Sequence, residues 1–396
     1  MPRQTPKRTL ATCCTAHAVH DGFSDVTYVL LPLLAQTFGL SLAQVGMIRS
    51  AHRVAMASFQ LPAGLIAERF GERNLLAIGT LIAGVAFIAL GYAPGYWAIL
   101  VTLFFAGLGS AVQHPLSSTI ISHAYPGEGR RTALGTYNFF GDVGKFAFGG
   151  IVSLALLAGV SWQAPVVAFG IAGIVSAALV FLTVTNSGAH APQQGPEKKA
   201  ASKGWGIRHK PAFVALCALD AVDSMTRTAF LTFIAFLLIA RGLPEGWAVL
   251  SVPLILTGGM AGKYACGVLA ERMGVLRTIV VTEVATGIGI LLTLALPAAA
   301  TFFLLPLIGV VLQGTSSVIY GTIGDLVEQD KLPRAFGIVY TTGACCGIIA
   351  PLVYGAIGDA IGIEKTIAMV GVFVLLSLPL CLVLRPSLRL SGSTSS

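Results

Sequence analysis

Twelve stretches of this 396-residue chain are each long and apolar enough to cross a lipid bilayer, and no other feature restricts its fold so severely. A helix needs about 20 apolar residues to span the hydrocarbon. Runs bounded by charged or Gly/Pro-rich breaks fall near 10–37, 42–68, 75–92, 97–123, 132–158, 163–185, 211–239, 246–270, 277–296, 301–326, 335–358 and 363–384. With 55% hydrophobic and 11% charged residues, the chain has too little polar surface for a water-soluble globule of this length. The expected fold class is an all-α, multi-pass membrane protein with twelve transmembrane helices. A net charge of +8 would suggest nucleic acid in a soluble protein; here the basic residues first set orientation, and no nucleic-acid partner is expected.

Charge divides the loops. Alternate loops and both ends carry Arg3, Lys7, Arg8, Arg69, Arg73, Arg130, Arg131, Lys198, Lys199, Lys203, Arg208, Lys210, Arg272, Arg277, Lys331, Arg334, Arg385 and Arg389, whereas the opposite loops hold Arg241 and Lys365. Both termini are therefore expected on the cytoplasmic side. The first apolar segment follows basic residues as a signal peptide would, but it continues past Leu34, contains Asp21 and Asp25 and has no small-residue cleavage site, so it reads as a retained span. The seven cysteines fall in predicted helices without a CxxC pair and read as packing groups. Between Asn186 and Lys210 the sequence is rich in Gly, Pro, Ala, Gln and Lys and reads as a cytoplasmic linker. The predicted domains are an N-terminal six-helix bundle (1–185), the linker (186–210) and a C-terminal six-helix bundle (211–396).

The two bundles repeat one another. "GLIAERFGER" from Gly64 reappears as "GVLAERMGVLR" from Gly267, and "CTAHAVHD" from Cys14 as "CALDAVDS" from Cys217, both 203 positions on. Arg131 meets Arg334 at the same offset. This is a parallel internal repeat, which in transporters places the substrate between the halves near the midplane.

The charged turn Gly64, Glu68, Arg69, Gly71, Arg73 resembles the signature loop of the major facilitator superfamily, with Glu where the family more often has Asp. The second copy (Gly267, Glu271, Arg272, Gly274, Arg277) departs in the spacing of its last basic residue. The resemblance implies the major facilitator fold and a cytoplasmic latch formed by Gly64, Glu68, Arg69, Gly71, Arg73, Glu271 and Arg272, whose contacts form in one state and break in another. Three further pieces, from Ala16, "GLGSAVQHPLSSTIIS" from Gly107 and "GTYNFFGDVGKFAFGG" from Gly135, resemble the fosmidomycin-resistance branch. That likeness implies a proton-driven exporter, an antiporter for drug-like molecules, in the bacterial inner membrane.

Charges inside the spans carry the chemistry. Asp21, Asp25, Arg49, Arg53, Asp142, Lys145, Asp220, Asp223, Arg227, Lys263 and Glu283 all fall within predicted helices. Each costs roughly 2.5–3.5 kcal/mol facing lipid, so they line a cavity or pair. His17, Asp21, Asp25 and Tyr28 share a face of the first helix, with His20 beside it. Depth counting along the antiparallel second helix pairs Asp25 with Arg53. Asp142 and Lys145 are one turn apart, and Asp223 can pair with Arg227. The proton-coupling candidates are Asp25, Asp21, Asp142 and Asp223, since a carboxylate that exchanges a basic partner for solvent can load and release a proton. The substrate-binding candidates are His17, His20, Tyr28, Arg49, Arg53, His114, Tyr137, Asn138, Lys145 and Asp220. His114 precedes Pro115, whose missing donor loosens the fourth helix. Phe139, Phe140, Phe146 and Phe148 read as packing groups.

The leading expectation is a secondary active transporter, proton-coupled and exporting a small, anionic or drug-like molecule by alternating access. A proton-coupled uptake symporter of an organic anion shares the architecture. A divalent-metal exporter using His17, His20, Asp21, Asp220 and Asp223 is the sharpest chemical alternative, and a non-transporting receptor is the alternative from another class. There is no GxxxxGK[ST] loop, GxSxG or HExxH, so neither direct ATP use nor enzyme activity is expected. The expected partners are a small-molecule substrate, protons and the bilayer, with no cofactor, and one chain holding both halves is expected to act as a monomer.

Overall fold

The computed structural model describes residues 5–125, 129–185, 206–328 and 331–392. Among them the architecture is helical: α1 (Pro6–Phe38), α2 (Leu42–Phe70), α3 (Glu72–Gly91), α4 (Tyr96–Ser110), α5 (Gln113–Ala124), α6 (Arg130–Leu157), α7 (Gln163–Thr183), α8 (Lys210–Ala240), α9 (Glu245–Val249), α10 (Ser251–Met273), α11 (Val275–Ala295), α12 (Ala298–Leu326), α13 (Leu332–Ile361), α14 (Ile363–Phe373) and α15 (Ser377–Gly392). The pairs α4/α5, α9/α10 and α14/α15 each form one interrupted segment, so the described helices make twelve membrane-length segments. Ten are apolar enough to span by composition. The other two, α1 and α2, are 33 and 29 residues long and are made less apolar by their polar and charged side chains. Most of the expected linker, residues 186–205, lies outside the described residues.

Local chemistry sets the helix ends. Ser41 and Gln44 form a reciprocal capping box at the start of α2, which satisfies two otherwise orphaned amides. The break between α4 and α5 falls at Ala111 and Val112. Pro115 explains it: its ring would meet the carbonyl four residues earlier, at Ala111, and it has no amide hydrogen to offer. Within the spans, threonine hydroxyls donate to carbonyls one turn back, as in Thr27 to Phe23 and Thr282 to Thr278, so they need no water.

The repeat is written in the backbone as well. Gly39, Gly71 and Gly159 have φ of +62°, +83° and +75°, and Gly242, Gly274 and Gly362, each 203 positions on, have +85°, +88° and +88°. Residues with a Cβ rarely adopt this conformation, so these loops are fixed by glycine.

Contacts divide the chain into two compact units, Met1–Gln194 with Pro244–Pro253, and Gly195–Leu243 with Leu254–Ser396. In the first, α1 packs on α6 and α3 on α7, over a core that includes Leu76, Leu116, Ile121 and Val180. In the second, α8 packs on α13 and α11 on α12 and α14, over Leu216, Ile279, Ile323 and Leu384. Arg241 closes the C-terminal end of α11 from the end of α8. It donates to the carbonyls of Thr293, at 2.6 Å, and Leu294, and lies 3.3 Å from Glu364. Cationic donors are favoured at such carbonyls. Arg241→Gln is expected to cost about 2 kcal/mol, measured as a lower thermal midpoint in detergent, with Arg241→Lys intermediate.

Candidate functional site

In the first unit α1, α5 and α6 bring five ionisable side chains together. Asp21, from α1, is the hub. Its Oδ2 lies 3.1 Å from Lys145 Nζ and 3.3 Å from His17 Nε2, and its Oδ1 lies 3.5 Å from His114 Nε2. Lys145 also donates to Asp142 Oδ1 at 3.1 Å, the one-turn pair expected on α6. Asn138 continues the stripe, one turn from Asp142, and is exposed. His17 and Asp21 are enclosed, whereas the side chains of Lys145 and His114 are 25% and 44% exposed. The site therefore has an enclosed carboxylate and histidine beneath an accessible cation.

A glycine makes the approach possible. A Cβ on Gly141 would lie 2.5 Å from His17 Cε1 and 2.7 Å from Asp21 Oδ2. The second unit repeats the device: a Cβ on Gly343 of α13 would lie 2.7 Å from Asp220 Oδ2 and 3.0 Å from Ser224 Oγ.

The histidine tautomer follows from its partners. His17 Nδ1 lies 2.7 Å from the carbonyl oxygen of Tyr137, and the ring stacks on the Tyr137 ring with centroids 3.8 Å apart. A carbonyl accepts only, so Nδ1 carries the hydrogen. In the neutral ring Nε2 is then a lone pair facing a carboxylate oxygen, and it has no hydrogen-bond partner. Two acceptors 3.3 Å apart are reconciled by a proton between them.

His17, Asp21 and His114 are also the one group among the described residues that could hold a metal ion, with ligand atoms within 4.8 Å of one another. Lys145 occupies the same Asp21 oxygen, so a divalent ion would have to displace an ammonium group. Of the metal set expected from sequence, His20 instead bonds Thr80 Oγ1 of α3 at 3.0 Å, and Asp220 and Asp223 belong to the second unit.

A second cluster ties α1 to α2. Arg49 is fully enclosed, donates to the Ser24 carbonyl at 2.9 Å, sits 3.6 Å above the Tyr28 ring centroid, and lies 4.0 Å from Asp25 Oδ1. Counting depth pointed to an Asp25–Arg53 bridge; the cation at bridging distance from Asp25 is Arg49, one turn earlier. Arg53, half-buried, interacts with the Tyr28 hydroxyl. Arg49 is thus placed as a strut rather than at an accessible surface. His52, enclosed nearby with no hydrogen-bond partner on either ring nitrogen, was not singled out from sequence.

Asp223 and Arg227 form the expected bridge on α8, at 3.1 Å. Asp220 is fully enclosed, with Tyr320 facing it, and Glu283 of α11 is 2% exposed. Of the aromatics read as packing groups, Phe148 stacks on Phe169 at 4.1 Å, while Phe139, Phe140 and Phe146 are exposed. In the charged loops Gly71 and Gly274 make the turns, Arg69, Glu271 and Arg272 are exposed, and Arg73 lies 4.8 Å over the Phe181 ring. Gly64 lies within α2, and the side chain of Glu68 lies outside the described residues.

Two repeat-related helical units with ion pairs enclosed inside bilayer-length helices define a multi-pass membrane transporter. The chain belongs to the Major Facilitator Superfamily, whose family model matches residues 13–315 and, in a second stretch, 246–395. Among its curated relatives, the hexuronate transporter of Bacillus subtilis is 26% identical over 84% of this chain and 83% of that protein. A probable sulfoacetate transporter of Cupriavidus necator is 24% identical over the same shares, 84% and 83%. The crystal structure of a bacterial homologue of the human lysosomal transporter Spinster superposes with a TM-score of 0.79 at 16% identity, covering 99% of both chains, which is a likeness of fold.

Proposed function

We propose that this protein is a proton-coupled symporter of a small organic anion, working by alternating access in a bacterial inner membrane with both termini cytoplasmic. The observation that carries the proposal is Asp21 Oδ2, shared by Lys145 at 3.1 Å and His17 Nε2 at 3.3 Å. With Asp21 and Asp142 ionised and Lys145 charged, the cluster has a net charge of about −1. An anion entering then meets repulsion on the order of 4 kcal/mol at about 4 Å and an effective dielectric near 20. A proton on Asp21, donated onward in a hydrogen bond to His17 Nε2, neutralises the cluster and releases Lys145 from one of its two carboxylates. An anion bound to Lys145 then restores the original charge.

Proton and anion therefore favour each other's binding, which is the requirement for symport. Export against a proton requires the two to compete, so this geometry supports the uptake reading over the drug-export reading that the branch resemblance implies. The names of the hexuronate and sulfoacetate relatives support an anionic cargo. The accessible Lys145 and His114 are assigned to the cargo; Asp21 and His17 to the proton; Asp25, Arg49 and Tyr28 to holding α1 on α2. The charged loops after α2 and α10 are assigned as the conformational latch.

The test uses proteoliposomes containing a pH-sensitive dye, with glucuronate or sulfoacetate added outside at equal internal and external pH. The lumen is expected to acidify as the anion enters. Alkalinisation, or anion entry without a pH change, would overturn the symport reading. Lys145→Gln is expected to weaken anion binding about 10- to 100-fold, the worth of a charge-assisted hydrogen bond, with Lys145→Arg partly restoring it.

A further inference from the structure

The two units differ in their enclosed charge. In the first, Asp21 and Asp25 of α1 and Asp142 of α6 are matched in number by Arg49 and Arg53 of α2 and Lys145 of α6. In the second, three carboxylates are enclosed: Asp220 (0% exposed), Asp223 (3%) and Glu283 (2%). The cation beside them is Arg227, 3.1 Å from Asp223 Oδ2 and in reach of Glu283. Lys263, near the middle of α10, is exposed, and Lys210, Arg272 and Arg277 stand at the ends of α8, α10 and α11. Three ionised carboxylates around one guanidinium would leave two negative charges uncompensated in a low-dielectric interior, which is several kcal/mol more costly than holding protons.

The orphaned atoms lie where the excess is. Both Asp220 oxygens and Glu283 Oε2 have no partner at hydrogen-bond geometry, with the Tyr320 and Ser377 hydroxyls as donors facing the two carboxyls. Glu283 lies within electrostatic reach of Asp223. The repeat supplies an independent sign of this pairing. Positions 203 before Asp223 and Glu283 are His20 and Thr80, and in the first unit those side chains bond directly at 3.0 Å. The same two helix positions thus hold a neutral hydrogen-bonded pair in one half and two carboxyls in the other.

We propose that Asp223 and Glu283 form a proton-binding carboxyl pair in the C-terminal half, with Arg227 neutralising the one charge that remains on the pair and the neighbouring Asp220 as the second group that must hold a proton. The proton bridges the two carboxyls when Arg227 holds Asp223. Other groups facing the pair and its neighbour are Ser377 and Cys381 toward Glu283, and Tyr320, Tyr340, Cys217 and Cys346 toward Asp220. All are neutral at physiological pH and none supplies a second cation. A metal cation would have to enter beside the guanidinium, against its charge. The proposal deepens the proton-coupled reading above, but its test does not depend on transport.

The full-length protein in liposomes is treated with dicyclohexylcarbodiimide, which adds to protonated carboxyls in apolar surroundings, and labelled peptides are identified by mass spectrometry. Glu283 is expected to be labelled at neutral pH, while the exposed Glu245 and Glu364 are not. In Asp223→Asn, Arg227 turns to Glu283 and labelling at neutral pH falls at least about tenfold, equivalent to one unit of pH. Infrared spectra of the untreated protein give a second measure: a protonated-carboxyl band at neutral pH that Glu283→Gln removes. Absence of both the label and the band would overturn the proposal, as would labelling unchanged in Asp223→Asn or protection by sodium ions. Failure of the symport reading would leave these outcomes untouched, so the two can be told apart.

Discussion

Asp21→Asn is expected to abolish proton-driven accumulation of anion while leaving exchange of anion for anion intact. An asparagine is a permanent stand-in for the protonated acid. Its amide can donate to His17 Nε2 as the carboxyl would, Lys145 keeps Asp142 at 3.1 Å within α6, and His17 Nδ1 still reaches the Tyr137 carbonyl at 2.7 Å, so α1 and α6 stay together. The site is then fixed in its anion-accepting form. Transport no longer draws on the proton gradient. The steady-state accumulation ratio should fall to about one, measured as uptake of labelled anion under an imposed pH gradient, with counterflow measured in parallel. Accumulation surviving in the mutant would take Asp21 off the proton path. Loss of counterflow as well would mean that Asp21 contributes to holding the cargo.

The second large effect is structural. A Cβ on Gly144 would lie 2.0 Å from the Ala18 carbonyl oxygen and 2.6 Å from Ala18 C and Cα. These are backbone atoms of the facing helix, so no rotamer change relieves the clash and α6 must move away from α1. Overpacking of this kind costs about 1–3 kcal/mol and more where backbone opposes backbone. Gly144→Val is expected to lose most folded protein, followed by size-exclusion yield and thermal midpoint. Gly144→Ala should fold but lose coupling, because the same displacement stretches the His17–Tyr137 and Lys145–Asp21 contacts. Gly150, on the same helix, has nothing within 4 Å of its would-be Cβ. Gly150→Ala should change stability by less than about 0.5 kcal/mol.

The fold was legible because the bilayer imposes one requirement on every span, and apolar runs of the required length are visible without knowledge of their partners. Ion pairs within one helix were legible for a similar reason: Asp142–Lys145 and Asp223–Arg227 follow from helical spacing alone. Pairs between helices were not. Depth fixes where a residue sits along its neighbour but not the rotation of either helix, and that placed Arg53 where Arg49 is found. The His17 tautomer could not have been read at all, because its partner is a backbone carbonyl, which every residue has. Glu283 stood out as a charge within a span, yet the excess of enclosed carboxylate became evident only once Asp220, Asp223 and Glu283 were all found buried in one unit. Glycine abundance in α6 was plain in the sequence; which glycine faces Ala18 was not.

The left-handed glycines at 39, 71 and 159 and their counterparts at 242, 274 and 362 bear on which parts of such a chain can be changed. A loop that only glycine can make is hard to alter one substitution at a time, whereas a polar side chain inside a bundle can change with its partner. Between the two copies the corners are the part that stays the same, and the interior is the part that differs. Thr80 and Glu283 stand at the same address in the two copies, one now serving a histidine and the other an aspartate. The bends keep the repeat visible where the side chains between them no longer do.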